Sequence, residues 1–360
     1  MKVLIVFRED KDTDNLFAPI LCNAIQKYGI DIHCSLSDFW NSETVYDIIH
    51  FQWPEEVVGW NCNDQSILER LKERIEFFRS RGSRFIYTRH NEKPHYGNPI
   101  IGKAYTLIEN CSDLVVHMGK YSERWYLEDH PESRNIVIPH HIYENTYDET
   151  ISMEEARRKL KIPQRKFVIT CFGKFRNREE INMVISAFRK ADIPNKLLLA
   201  PRMLPFSKHP RQASLLKRLA SRMGYYVLTP ILNYCLRMRA GASEELIDNA
   251  DLPYYMAASD VILIQRIDIL NSGNVPLAFL FKKVVAGGDI GNVGEWLTET
   301  DNPCFLPYKT EDVVEVLNQL PKRVAENRGE ENYRYAQKNM SLNKVAGMYA
   351  DAYHLMLSPQ

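Results

Sequence analysis

Short apolar runs alternate with longer, helically patterned stretches along the whole chain, and this rhythm decides the fold class. A short run that is apolar at nearly every position has no face to show to water, so it must lie in a sheet covered on both sides. When such strands alternate with helices, the strands run parallel in βαβ units. The first half predicts strands at residues 2–7, 30–35, 48–51, 84–88, 114–117 and 136–139. The second half predicts them at 167–171, 196–200, 261–264, 284–286 and 304–306. Of the intervening helices the clearest is 66–80, with Ile67, Leu68, Leu71, Ile75 and Phe78 on one face. The polar, unpatterned stretch 143–152 reads as a linker, and Ser152-Met153-Glu154-Glu155 opens the next helix in the manner of a capping box. The expectation is an α/β protein of two similar domains, 1–145 and 152–340, followed by an amphipathic helix within 341–360. A ligand is expected at the carboxyl ends of both sheets, in the cleft between the domains.

Bulk properties narrow the class of function. A chain of 360 residues suffices for two domains of ordinary size, and 45% hydrophobic with 26% charged residues is a soluble globular composition. Lys plus Arg and Asp plus Glu both number 46, so overall charge selects no acidic or nucleic-acid partner. The first apolar run, ending before Arg8, is too short for a signal peptide, and no apolar stretch approaches a membrane span. The seven cysteines are odd in number, scattered and never spaced Cys-x-x-Cys, which fits reduced thiols in a cytoplasmic protein.

The segment 251–276 carries the most chemistry. A helix ends at Ser259-Asp260, a buried strand follows, and Asn271-Ser272-Gly273-Asn274-Val275 then opens a helix with Pro276 in its first turn. Ser or Asn at an N-cap with Pro just inside is a helix-start signal. Helix N-terminal amides beside a glycine suit a diphosphate; an ordinary strand-to-helix turn has the same pattern.

Other short motifs decide between those readings. In order they are His50-Phe51-Gln52-Trp53-Pro54, then Thr88-Arg89-His90-Asn91 with Pro94-His95, then Asp113 to His117 and Ile138-Pro139-His140. Phe172-Gly173-Lys174-Phe175-Arg176 and Leu198-Leu199-Ala200-Pro201-Arg202 follow in the second half. Taken in this order, the chain resembles the GT-B glycosyltransferases, especially the retaining enzymes of glycosyltransferase family 4. The resemblance implies two Rossmann-like domains, the first for the acceptor and the second for the donor nucleotide, with the C-terminal helix crossing back to the first. It implies transfer of a sugar from a nucleotide sugar to a hydroxyl of a glycan or lipid-linked acceptor, with retention and without an essential metal or other cofactor, in surface or exopolysaccharide synthesis.

The resemblance also assigns residues. Arg176 and Arg202 would stabilise the diphosphate leaving group, with His90 as the third catalytic residue. Gly173, Arg178, Ile247, Asp268, Asn271, Ser272, Gly273, Asn274, Val275 and Glu295 are the donor-binding candidates. His50, Trp53, Asn91, His95 and His117 are the acceptor-binding candidates; a buried core pair is the other reading of His50 and Trp53, and backbone hydrogen bonding that of His117. Two departures stand out. Glu179 occupies the position of the family's loop lysine, with Arg178 beside it, and Leu270 and Ala278 occupy those of its paired glutamates. The glycine run from Gly287 to Gly294 reads as a backbone loop facing the cleft rather than a dinucleotide fingerprint. Asp10, Asp12 and Asp14 match an Asp-x-Asp metal motif but read as a solvated acidic loop, so no metal site is expected. A GT-B epimerase or hydrolase, and a catalytically degenerate nucleotide-sugar-binding scaffold, are the alternatives.

One stretch lies outside this scheme. Between Asp192 and Glu244 there is no acidic residue, and Lys217, Arg218 and Arg222 interleave with Leu215, Leu216, Leu219 and Met223 on a helical pattern. Two readings stand: a packed helix with a solvated basic face, or a helix lying on an anionic membrane surface. The second would place a cytoplasmic protein peripherally on the inner face of the membrane. A nucleic-acid partner is not expected, because the chain carries no nucleic-acid module.

Overall fold

The computed structural model describes residues 1–8, 15–94, 97–204, 206, 214–241 and 247–358. The chain divides into two compact units, Met1–His141 with Asn339–Gln360, and Ile142–Lys338.

The first unit is built on six parallel strands: β1 (Lys2–Val6), β2 (Asp31–Cys34), β3 (Ile48–Phe51), β4 (Arg84–Thr88), β5 (Leu114–His117) and β6 (Asn135–Val137), in the order β2-β1-β3-β4-β5-β6. Strands β3 and β5 are buried at every residue, as their uninterrupted apolar character requires. The helix Ser66–Arg79 turns Leu68, Leu71, Ile75 and Phe78 onto the sheet. The last helix, Leu342–Leu357, belongs to this unit: Val345, Ala346, Tyr349 and Tyr353 are buried, and it packs beside Phe17–Gln26.

The second unit repeats the plan with β7 (Phe167–Thr170), β8 (Lys196–Ala200), β9 (Met238–Ala240), β10 (Val261–Ile264), β11 (Val284–Gly288) and β12 (Cys304–Phe305), all parallel, in the order β12-β11-β10-β7-β8-β9. The sequence pattern does not predict β9. It is a short edge strand in which Arg239 turns outward to donate to the Leu160 carbonyl (2.8 Å), so it lacks a continuous apolar run.

Strand order places the site within each unit. In the first, β2 lies on one side of β1 and β3 on the other; in the second, β8 and β10 flank β7. Loops leaving adjacent strands in opposite directions open a crevice at the carboxyl edge, where α/β sheets bind ligands.

Candidate functional site

In the second unit, arginines follow three neighbouring strands. Arg176 lies after β7, Arg202 after β8 and Arg266 after β10. The loops after β7 and β10 are tied together by Glu180, a carboxylate only 1% exposed on the first turn of helix Arg178–Lys190. Asn177 caps that helix by accepting from the Glu180 amide (2.9 Å), which fixes where the carboxylate points. Glu180 Oε2 then accepts from the Arg176 backbone amide (2.7 Å) and pairs with Arg266 Nη1 (3.2 Å). Burial, together with the nearby Arg176 and Arg202 charges, pulls the Arg266 guanidinium down to about 10 against the opposing pull of Glu180. Arg176 and Arg202 thus lie close enough to Arg266 for their charges to act on it at the β7–β10 crevice. Clustered guanidiniums suit a polyanion.

The loops beneath the arginines approach closely. Gln265 Nε2 donates to the Gly173 carbonyl (2.8 Å), and a Cβ on Gly173 would stand 3.1 Å from that nitrogen and 3.4 Å from Asn274 Nδ2. Gly173 therefore lets the β7 and β10 loops meet. Asn271 accepts from Asn292 Nδ2 (2.7 Å), and the Asn292 amide donates to the Leu270 carbonyl (2.9 Å). Gly291, at φ +56°, passes so near the Ile269 carbonyl that a Cβ would lie 2.4 Å from it. The glycine run is thus a buried buttress under the Ile269–Asn271 turn, which corrects its expected role as a ligand-facing loop.

The helix-start expectation also needs correction. Helix Asn274–Leu280 is capped by Gly273, which has no side chain to accept a cap hydrogen bond. The Val275 amide is spent on the Ser272 carbonyl (3.1 Å), and Pro276 has none, so the turn presents fewer amides than its pattern implies. Arg178 and Asp268 are exposed, and Ile247 is partly exposed. The Glu295 carboxylate is near enough to Tyr335, with burial and Glu299 the larger causes, to help raise its phenol.

In the first unit the strand ends carry rings. His90 stacks on Trp53 with centroids 3.6 Å apart and planes at 16°, and Phe17 meets both edge-on. His90 is held from behind by Gln52, a fully buried amide whose Oε1 accepts from His90 Nε2 (2.8 Å). The Gln52 amide nitrogen donates to His50 Nε2 (3.0 Å), which also meets the Thr88 hydroxyl (2.8 Å). His50 Nδ1 is then the protonated nitrogen and donates to the Tyr353 hydroxyl (2.7 Å) on the C-terminal helix. A continuous polar chain thus runs from Tyr353 through His50 and Gln52 to His90. Asn91 reaches toward the Tyr105 hydroxyl (3.5 Å), which donates to the buried Glu55 carboxylate (2.9 Å).

Two acceptor candidates change role. His50 is fully buried with both ring nitrogens engaged, so it takes the core alternative. His117, also fully buried, accepts from the Ser122 hydroxyl (2.7 Å) and donates to Asn135 Oδ1 (2.8 Å), tying β5 to β6 and to helix Lys120–Asp129. Burial pushes these imidazoles down to about 3 and about 4, and they stay neutral. His95 and Asp10, Asp12 and Asp14 lie outside the described residues. Among the described residues, no group of His, Cys, Asp and Glu could hold a metal ion.

No protein-family model matches the chain, and no curated protein matches it. Solved structures resemble it along nearly its whole length. Sucrose-phosphate synthase from Thermosynechococcus elongatus aligns with a TM-score of 0.71 at 14% identity over 98% of both chains. HepE of Anabaena, solved in complex with UDP-glucose, aligns with 0.68 at 14% over 99% of this chain and 100% of that one. WaaG, a glycosyltransferase involved in lipopolysaccharide biosynthesis, aligns with 0.59 at 12% over 98% and 99%. The fold is GT-B. Within this GT-B chain, Leu270 and Ala278, which stand where the family resemblance led to a glutamate pair, are 5% and 0% exposed and belong to the core. Arg266, Glu180 and Gln52 received no role from the motif reading, although Gln52 stands inside a motif and Arg266 follows its strand much as Arg176 and Arg202 follow theirs.

Proposed function

We propose that the protein is a glycosyltransferase that moves a sugar from a nucleotide-diphosphate donor to a hydroxyl of a glycan or lipid-linked acceptor. The observation that carries this reading is the convergence of Arg176, Arg202 and Arg266 on the β7–β10 crevice beside Gly173. A diphosphate leaving group gains negative charge as the glycosidic bond breaks. Fixed guanidiniums in a partly desolvated crevice stabilise that charge without reorganising. The donor then belongs to the second unit, and Trp53, His90 and Asn91 in the first serve the acceptor and the transferred sugar. Membership of family 4, retention at the anomeric carbon and independence of metal complete the proposal. That HepE was solved with UDP-glucose and that WaaG is involved in lipopolysaccharide biosynthesis support this choice of donor class and a role in surface-glycan synthesis.

A second reading, a nucleotide-sugar-binding scaffold without turnover, draws on Leu270 and Ala278, whose apolar side chains offer a ribose no carboxylate. Incubation with a panel of nucleotide sugars, with and without oligosaccharide or lipid-linked acceptors, separates the readings. Nucleotide release that requires an acceptor and yields a glycosylated product is expected. Release without acceptor points to hydrolysis or epimerisation, and binding without release to the scaffold.

A further inference from the structure

The basic stretch of the second unit forms one continuous helical run through Leu215–Met223, a π-turn Gly224–Leu228, and Thr229–Cys235. Its inner side is pinned. Asn233 exchanges two 3.0 Å hydrogen bonds with the backbone of Ala240 on the edge strand β9, and Thr229 is buried with its hydroxyl donating to the Gly224 carbonyl (3.3 Å). The Phe206 ring lies so close over Gly224 that a Cβ there would stand 2.4 Å from it. The outer side is bare. Leu216 is 79% exposed, Leu219 57%, Met223 66%, Tyr226 60% and Tyr234 88%, and helix Leu215–Met223 contains no buried residue. Leu216, Leu219 and Met223 recur at helical spacing on Leu215–Met223, and Tyr226 and Tyr234 extend the exposed apolar stripe beyond it.

We propose that this stripe docks on the surface of an anionic lipid bilayer. Single exposed leucines are ordinary on a protein surface, but a contiguous stripe of large apolar side chains on a pinned helix marks an interaction face. Charge selects the occupant. Arg218 and Arg222 are exposed on the flank of the stripe and Lys217 on the far side of the same helix, and no Asp or Glu lies between Asp192 and Glu244, although the whole chain is neutral. A second copy on the same face would set these cations against their own images without carboxylates to compensate. A bilayer with anionic headgroups meets both features: the stripe enters the acyl boundary, the cations meet phosphate, and the two tyrosines sit at the interface with hydroxyls in water. The inference is independent of the sugar-transfer reading.

The test is co-sedimentation of the full chain with vesicles of phosphatidylcholine alone or mixed with phosphatidylglycerol. Binding to the mixed vesicles alone, weakened by salt, is expected. Lys217→Glu with Arg218→Glu should lower that binding at least about tenfold, since each cation near such a surface contributes measurably. Leu219→Glu should do the same with an unchanged circular-dichroism melting curve, because the replaced side chain is exposed. Equal binding to both vesicle types, or binding to neither, overturns the proposal. So does a soluble oligomer that dissociates in the Leu219→Glu variant, which would make the stripe an interface between copies of the chain.

Discussion

In the first unit the loops after β3 and β4 bring indole and imidazole rings together at the carboxyl edge; in the second, at the equivalent edge, the loops after β7, β8 and β10 bring guanidinium groups together. Of the ten histidines, His209 alone falls outside the first unit, and of the five tryptophans, Trp296 alone does. The sheets are near copies, so the contrast arises in the loops, from the groups each has to hold in place. Gln52 and His50 turn a fully buried polar chain toward His90, and burial keeps His50 neutral. Glu180 gathers cations that burial and mutual repulsion would otherwise disfavour. One edge stacks an indole on an imidazole over a buried hydrogen-bond chain; the other gathers guanidinium groups. The same topology thus divides two chemistries between its copies, and this division supports the assignment of acceptor and donor proposed above.

The largest expected effect is on acid stability, and it should fall on one unit. His50, His117 and His140 are buried with their imidazoles lowered by desolvation to about 3, about 4 and about 3. In the unfolded chain each binds its proton near pH 6.5, so between that value and the folded one the unfolded state holds more protons. Stability is therefore complete above the unfolded value and lost as pH falls, by roughly 2 kcal/mol per histidine down to about pH 5, or ~6 kcal/mol for the three. The buried Glu109 carboxyl, raised by its own burial, works in the opposite direction and offsets part of this. Tryptophan fluorescence of a Trp296→Phe variant reports the first unit alone, and urea midpoints should fall steeply between pH 7 and pH 5. A flat profile would break the contrast, because the rings would then not be dehydrated.

These histidines also show where sequence reading stops. An apolar run ending in His predicts a strand correctly at β3 and β5, because nothing else buries such a run. It does not say whether the terminal imidazole faces a ligand or the interior. For His50 the deciding partner, Tyr353, is 303 residues away; for His117 it is Ser122, only five residues on. The position of Arg176 and Arg202 after β7 and β8 is legible because a motif marks it, while their role is the proposal above. Arg266 has no such mark, and its partner Glu180 is 86 residues away in sequence. The Ser272 cap failed for a local reason: Gly273, one residue on, takes the cap position.

Next in size is the removal of Glu180. Its side chain is 2% exposed and Arg266 is 13% exposed, so Glu180→Ala leaves a buried guanidinium beside two others. Breaking such a pair from one side costs about 3–5 kcal/mol, read as a lower urea midpoint in the second unit. The edge of the second unit would then depend on its carboxylate for assembly, where that of the first has Gln52 bonded to His50 and His90. A midpoint unchanged from wild type would mean that the arginines hold their positions unaided.

Smaller again is the loss of a single cation. Arg202→Ala and Arg266→Ala should each reduce kcat/KM for the nucleotide sugar about ten- to a hundredfold, the worth of one charge-assisted hydrogen bond of about 1.5–3 kcal/mol. The double variant should fall short of the product of the two effects, because removing one cation also relieves the repulsion felt by the other. Exact additivity would mean that the two guanidiniums do not share an anion.

The smallest expected effect is none. EDTA should leave turnover unchanged, because Arg176, Arg202 and Arg266 already supply the positive field that a divalent cation would provide at a diphosphate. The outcome bears on both units at once. Asp10, Asp12 and Asp14 belong to the first unit, where Arg8 after β1 pairs with Glu56. If chelation abolishes turnover and manganese restores it, that acidic loop is a ligand set and the first unit handles charge through a metal. The second unit's arginines would then supplement the metal rather than replace it. Calcium failing where manganese succeeds would distinguish a site of defined geometry from general screening of the acidic loop.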